Sequence, residues 1–236
     1  MFEEKLQQAF ADLQIPCTSV QAAQCARYFA MLVEANQTMN LTNVTQEDEA
    51  ILLHFCDSAR LLPVFPLPKG ARCIDVGTGA GFPGMVLAIL RPDVSITLMD
   101  SLQKRVLFLQ RVVEDLGLAN VRCVHARAEQ ASHDAQHRAR YDFAFARAVA
   151  SLPTLAEYCL PFVRTGGYMV AYKGPQGRQE CSQARTALRT LGGQFEKLVD
   201  SCIPGREHTL IFIKKTRATP QKYPRKAGIP KKDPIM

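Results

Sequence analysis

The chain has 236 residues, 47% of them hydrophobic, and a formal net charge of +7. That length holds one α/β domain with an appendage or two small domains, and the apolar content is ample for a packed core. No apolar run approaches membrane-spanning length, and the N-terminus, with Glu3, Glu4 and Lys5, lacks the apolar core of a signal peptide, so a soluble cytoplasmic protein with no membrane partner is expected.

Phe2, Leu6, Phe10 and Leu13 recur at helical spacing until Pro16 ends the pattern. Ser19 can cap a second helix running to about Asn36, with Ala23, Tyr28, Met31 and Leu32 inward. A polar stretch, Asn40 to Asn43, reads as an ordinary turn. A third helical segment, 47–65, is broken by Pro63, Pro66 and Pro68. Residues 1–70 are therefore expected to form a helical N-terminal subdomain, too small to stand alone and packed on an α/β core.

Arg72 to Val76 reads as a short strand, with Asp75 two residues before Gly77. Gly77, Gly79 and Gly81 then turn the chain where side chains would keep a ligand from the backbone, and Pro83 suits the first turn of the next helix. Strand, glycine turn and helix predict an adenosine-cofactor site at the carboxyl edge of a parallel sheet. Gly79, Gly81 and Gly84 also spell a literal G-x-G-x-x-G, which keeps a dinucleotide open. Asp75 argues for a cationic ligand group such as a methionyl ammonium and against a pyrophosphate.

The next strand, 94–99, ends in Asp100, nineteen residues beyond Gly81, the spacing of a ribose-binding acid in a βαβ unit. An amphipathic helix closed by Gly117 comes next, then a third strand over 121–125 with Ala128 and Glu129 placed at its carboxyl end, where an adenine could be contacted. Residues 132–140, containing His133 and His137, read as an exposed loop and not as a metal site. A fourth strand over 141–146 runs into Arg147, a helix over 152–163 succeeds it, and a fifth strand over 168–172 ends in Lys173. A helix over 176–191 then leads to two strands, 195–201 and 207–215, joined by a turn at Pro204 and Gly205. A closing hairpin disfavours a nicotinamide domain, which continues in βα units and needs a substrate domain. It is the pattern of an AdoMet-dependent methyltransferase sheet, and residues 71–215 are assigned to that domain.

From Lys214 onward there are eight Lys or Arg and one acid, while the other 213 residues carry 21 basic and 21 acidic groups. All the excess charge therefore lies at the C-terminal end. A basic arm over 216–236 on a neutral body is the pattern of a polyanion ligand, RNA or DNA ahead of a membrane surface, and equally that of a solvated tail. Its prolines, at 220, 224, 230 and 234, predict an extended course. The eight cysteines are scattered, with no Cys-x-x-Cys and no ligand spacing with His, so they read as buried thiols in a reducing compartment, and no metal is expected.

The segments Asp75 to Gly84, Asp100 to Arg105, Arg127-Ala128-Glu129, Ala146-Arg147-Ala148, Lys173-Gly174 and Tyr223 to Pro230 resemble the RsmG (GidB) family of bacterial 16S rRNA methyltransferases. Asn40-Leu41-Thr42 and His54-x-x-Asp57-Ser58 are similar to it as well. The resemblance implies methyl transfer from S-adenosyl-L-methionine (AdoMet) to N7 of guanine 527 in 16S rRNA, naked or in the small ribosomal subunit. It places AdoMet contacts at Gly77, Phe82, Ala128, Glu129 and Arg147, with Asp100 and Ser101 near the ribose; the glycine turn adds Asp75 and Gly79. A monomer is expected.

Guanine N7 carries a lone pair and no proton, so a general base is not required. No Asn/Asp-Pro-Pro-Tyr comes after the fourth strand and no cysteine stands out as a nucleophile. Arg147 is the candidate orienting residue, holding the cofactor or bonding guanine O6 alone; the bland alternative is a structural ion pair with an acid at the edge of the core. Lys173, Arg206, Arg225 and Lys226 are the RNA-contact candidates, Lys173 and Arg206 being equally readable as ordinary surface charges. Three other readings stay open. A methyltransferase for a small molecule or protein leaves the basic arm without a role. A non-catalytic RNA-binding protein conflicts with the intact glycine turn, and a dinucleotide oxidoreductase with Asp75 and the hairpin.

Overall fold

The computed structural model describes residues 1–200, 203 and 207–236. The N-terminal region holds α1 (Phe2–Asp12) and α2 (Ser19–Met39). Beyond them runs a helical stretch of α3 (Glu47–Ala50), a π-helical segment Ile51–Cys56, α4 (Asp57–Ala59) and α5 (Leu61–Val64). Thr18, not Ser19, caps α2: its hydroxyl accepts the Gln21 N–H while the Gln21 side chain accepts the Thr18 N–H in return. The helix also runs to Met39, past the expected end, and stops at Asn40, which adopts φ 50°.

The α/β part consists of β1 (Arg72–Val76), α6 (Gly84–Leu90), β2 (Ser95–Asp100), α7 (Gln103–Asp115), β3 (Val121–His125), α8 (Ala128–Ala131) and β4 (Tyr141–Arg147). Then come α9 (Leu152–Cys159), β5 (Val163–Lys173), α10 (Gly177–Gln183), α11 (Arg185–Leu191), β6 (Gly193–Asp200), β7 (Thr209–Lys215) and α12 (Ile229–Lys232). The sheet order is β3-β2-β1-β4-β5-β7-β6. Strands β1 to β5 pair in parallel, and β7 is antiparallel to both neighbours. The predicted closing hairpin is thus inserted with its second strand inward. Its turn at Pro204 and Gly205 lies outside the described residues, as does Arg206.

Both faces of the sheet are covered, and its central strands are accordingly rich in apolar residues, with Asp75 of β1 a buried exception. Phe143, Phe145, Val170, Tyr172, Leu210 and Phe212 face the N-terminal helices, whereas Ala144, Ala146, Met169, Ala171, Ile211 and Ile213 face α9 and α11. This period-two division puts four aromatic rings on one face, and alanine, methionine and isoleucine on the other. The N-terminal helices share the first core with the glycine turn itself: Phe2, Tyr28, Phe29, Phe55 and Phe82 form one aromatic cluster, and the Tyr28 hydroxyl donates to the Ala80 carbonyl at 2.6 Å.

Two expectations are corrected. The segment 132–140 is a series of turns, but His137 is buried and bonded to the Tyr141 hydroxyl, and His133 contacts the Pro224 carbonyl. The C-terminal arm is packed against the body over much of its course and is not an extended, solvated tail. Arg138 donates to the carbonyls of Thr219, Pro220 and Tyr223, and the Thr154 hydroxyl donates to the Pro230 carbonyl. Buried carbonyls of an irregular segment need such donors, and the body supplies them.

Candidate active site

Asp75 is wholly buried at the end of β1, where its Oδ2 accepts from the Thr78 hydroxyl at 2.7 Å and the Gly84 N–H at 2.8 Å. These bonds brace the turn from inside. Its Oδ1 has no partner among the described residues, and burial pushes the carboxyl up to about 6 against the pull of the two bonds. Asp75 therefore stands behind the turn, not in the cavity that the turn borders. At Gly84 a Cβ would fall 2.4 Å from Leu98 Cδ2 and 2.8 Å from Asp75 Oδ2, so only glycine lets α6 lie this close to the sheet.

The cavity lies over the carboxyl ends of β1, β2 and β3, lined by Gly77, Met99, Asp100, Ser101, Ala128 and Glu129, with Arg127, Val149 and Tyr158 closing it. Gly77 has φ 72°, and a Cβ there would meet Val149 Cγ2 at 2.9 Å. Asp100 ties the site together: Oδ2 accepts from the Gly79 N–H and Oδ1 from the Leu102 N–H, both at 2.9 Å. Arg105 Nη1 also reaches Oδ2, at 3.5 Å. A carboxylate offers about four acceptor positions, so one remains for a ribose. Gly79 shapes the turn through that bond and is not part of the lining. These are the kinds of group that the adenosine half of AdoMet would call for: an acid for the sugar, apolar Met99 and Ala128 for the purine, and backbone at Gly77.

A second cleft adjoins through Arg147, Ala148 and Val149. Its walls are Leu53, His54 and Asp57 from the N-terminal helices and Arg147, Lys173 and His208 from the sheet edge, with Arg60 and Tyr172 beneath. Asp57 is its electrostatic centre, bonded by Arg60 at 2.9 Å, Arg147 at 2.9 Å and His208 Nδ1 at 3.1 Å. Burial alone would raise this carboxyl, but His208, Arg147 and Arg60 together hold it down at about 2. Arg147 also donates to the Leu53 carbonyl and lies 5.0 Å from the centre of the Phe82 ring. His54 stacks on the same ring at 4.4 Å, and burial, followed by the Arg147 charge, lowers it to about 4.

The predicted residues thus divide. Gly77, Asp100, Ser101, Ala128 and Glu129 line the first cavity; Arg147 and Lys173 line the second; Phe82 is buried beneath the second. Arg147 makes the structural ion pair foreseen as its alternative and is also a cleft wall. Lys173 bonds Glu180 and the Ala150 carbonyl, both at 2.8 Å, and is not an open surface charge. Arg225 is bound to the buried Glu157, while Lys226 is exposed. Sequence reasoning missed Val149, Tyr158, Arg60 and His208. Val149 was within reach, two residues past Arg147; for the others no spacing pointed to a site.

The strand order, the antiparallel β7 and the acid-edged cavity beyond a glycine turn define an AdoMet-dependent methyltransferase. Among solved structures, a SAM-dependent methyltransferase from Aquifex aeolicus superposes with TM-score 0.53 at 18% identity, covering 67% of this chain and 90% of that one. Fibrillarin from Aeropyrum pernix with natively bound S-adenosyl-L-methionine gives 0.51 at 19% identity, covering 66% and 72%. Sequence narrows the class: the chain belongs to the GidB family, described as rRNA small subunit methyltransferase G, whose profile matches residues 21–210. It is 46% identical over 217 residues to ribosomal RNA small subunit methyltransferase G of Alkaliphilus metalliredigens, 91% of each chain. To the protein of that name from Clostridium botulinum (strain Loch Maree / Type A3) it is 42% identical over 232 residues, 98% of this chain and 97% of the other. Among the described residues no group of side chains could hold a metal, and no helix is long and apolar enough to cross a membrane.

Proposed function

We propose that the protein transfers the methyl group of AdoMet to N7 of guanine 527 in 16S rRNA. The observation that carries the reading is the second cleft, which opens beside the cofactor cavity and meets it through Arg147, Ala148 and Val149. Two imidazoles line it, His54 stacked on Phe82 and His208 bonded to Asp57, and an N7 lone pair, which bears no proton, calls on neither. Asp57 is held near 2 by three partners, and Glu180 is tied to Lys173 and to the Leu152 N–H. Attack by a lone pair that bears no proton needs alignment and a dry site, not a base. Bound AdoMet supplies an electrophilic methyl on a sulfonium. The chain's part is to hold the adenosine with Asp100 and Glu129 and to keep Arg147 rigid between the cofactor cavity and the cleft. Arg147 bonding O6, and not N7, would leave the attacking lone pair free. Full-length identity to relatives named for small-subunit rRNA supports RNA as substrate.

The test is to incubate the protein with AdoMet and unmethylated small-subunit RNA, naked and in subunits, then to digest one portion to nucleosides and another to oligonucleotides with a base-specific nuclease and analyse both by mass spectrometry. New 7-methylguanosine at one site is the expected result. Intact AdoMet binding without methylated nucleoside on either template would replace this reading with a small-molecule or protein methyltransferase.

A further inference from the structure

The C-terminal segment is bonded to a residue of the cofactor cavity. The Gly228 N–H donates to Glu129 Oε1 at 3.1 Å, and Glu129 lines that cavity. Three residues earlier, Arg225 grips Glu157, which is wholly buried on α9, through its backbone N–H at 2.7 Å, Nε at 3.0 Å and Nη2 at 2.8 Å. The next residue of α9, Tyr158, is itself a cavity wall. Pro230 is buried and its carbonyl accepts from Thr154, also on α9. Residues 223–232 thus form a strap fastened across α9 onto the cofactor site, and its remaining cations, Lys226, Lys231 and Lys232, are exposed.

We propose that this strap couples the two substrates: Arg225 and Gly228 are positioning residues that hold Glu129 for the adenosine, and RNA phosphates bound by Lys226, Lys231 and Lys232 keep the strap fastened. The inference rests on the RNA reading above. A terminal segment held by one buried ion pair, hydrogen bonds from His133, Arg138 and Thr154 and the packing of Tyr223 and Pro230 opens at lower free energy than the sheet does. Each ligand that binds only the fastened form favours it, and by linkage each then tightens the other by the same factor. An unfastened strap leaves Glu129 without its backbone donor and free to turn away from the cavity.

The experiment measures affinity for S-adenosyl-L-homocysteine, which permits no turnover, by calorimetry with and without saturating small-subunit rRNA. For the full chain, RNA is expected to tighten the cofactor product about fivefold or more, a usual size for such coupling. In the triple variant K226Q/K231Q/K232Q, affinity without RNA stays at the wild-type value and the tightening is lost, measured at RNA concentrations that still saturate it. In Arg225→Gln, affinity without RNA falls several-fold. Wild-type protein that binds RNA with no tightening, or a triple variant that keeps it, overturns the coupling alone. Wild-type protein that binds no RNA overturns the coupling and the RNA reading together. Should Arg225→Gln not fold, the triple variant, which alters exposed side chains alone, decides.

Discussion

Arg147 Nη1 and Asp57 Oδ2, ninety residues apart in the chain, meet at 2.9 Å and join the end of β4 to the N-terminal helices. The pair closes one wall of the second cleft and is flanked by Arg60, His208 and the Phe82 ring. The N-terminal helical region therefore supplies one wall of that cleft.

Arg147→Ala should lower turnover by about a hundredfold, the scale of a lost positioning contact at the reacting centre. Asp57 keeps Arg60 and His208 as partners, so the fold should survive. Single-turnover methylation beside a thermal melt separates these effects; near-normal methylation would return Arg147 to a purely structural role.

The Asp57 carboxyl, held at about 2 in the fold against an ordinary 3.8, makes stability depend on pH in acid. The depressed value means that its contribution is complete above the unfolded value near 3.8 and is lost as pH falls through about 2. Urea midpoints between about pH 5 and pH 2 should fall more steeply for the wild type than for Asp57→Asn. At neutral pH the same variant should be the less stable by about 3–5 kcal/mol, since the buried Arg60 loses its counter-ion.

Asp75 works in the opposite sense. Its folded value of about 6 exceeds 3.8, so the folded state binds the extra proton and stability declines as pH rises from about 4 to about 6. Asp75→Asn, which keeps an oxygen for Thr78 and Gly84, should abolish that decline and be no less stable than the wild type above about pH 7. Asp75→Ala removes the brace and should weaken AdoMet binding. Denaturant titration across pH, paired with calorimetry, checks both; a steeper decline in Asp75→Asn would contradict the assignment.

The bond between Arg225 and Glu157 predicts non-additive stability. Arg225→Ala leaves a buried carboxylate without its cation and should cost about 3–5 kcal/mol. Combining it with Glu157→Gln should cost clearly less than the two single changes together, because no charge is then stranded. Equal additive losses in urea melts would mean that the pair carries no coupling. Removal of residues 217–236 is correspondingly expected to destabilise the whole protein, so loss of RNA binding in such a truncation would not report RNA contacts alone.

Much of this architecture is legible from local pattern. Residues 72–84 carry their meaning locally, because a strand, a glycine turn and a helix start are each set by residues a few positions apart. The same holds for Asp100, Ala128 and Glu129, which lie at or just past the ends of β2 and β3 and so arrive at one sheet edge by topology. Residue type and spacing alone therefore determined a parallel sheet with a closing hairpin, an adenosine site at its carboxyl edge and a surplus of cations at the C-terminal end. Tertiary structure alone decided which charges meet. Asp75 reads as a ligand group until burial shows it bracing the turn, and Arg225 reads as an RNA contact until Glu157, 68 residues away, takes it. Ion pairs between distant segments leave no periodicity in the chain, since they depend on how two elements dock and not on the propensity of either. For the same reason His208 and Asp57 came to share one cleft, and a tail rich in proline and lysine came to lie against α9 and Glu129.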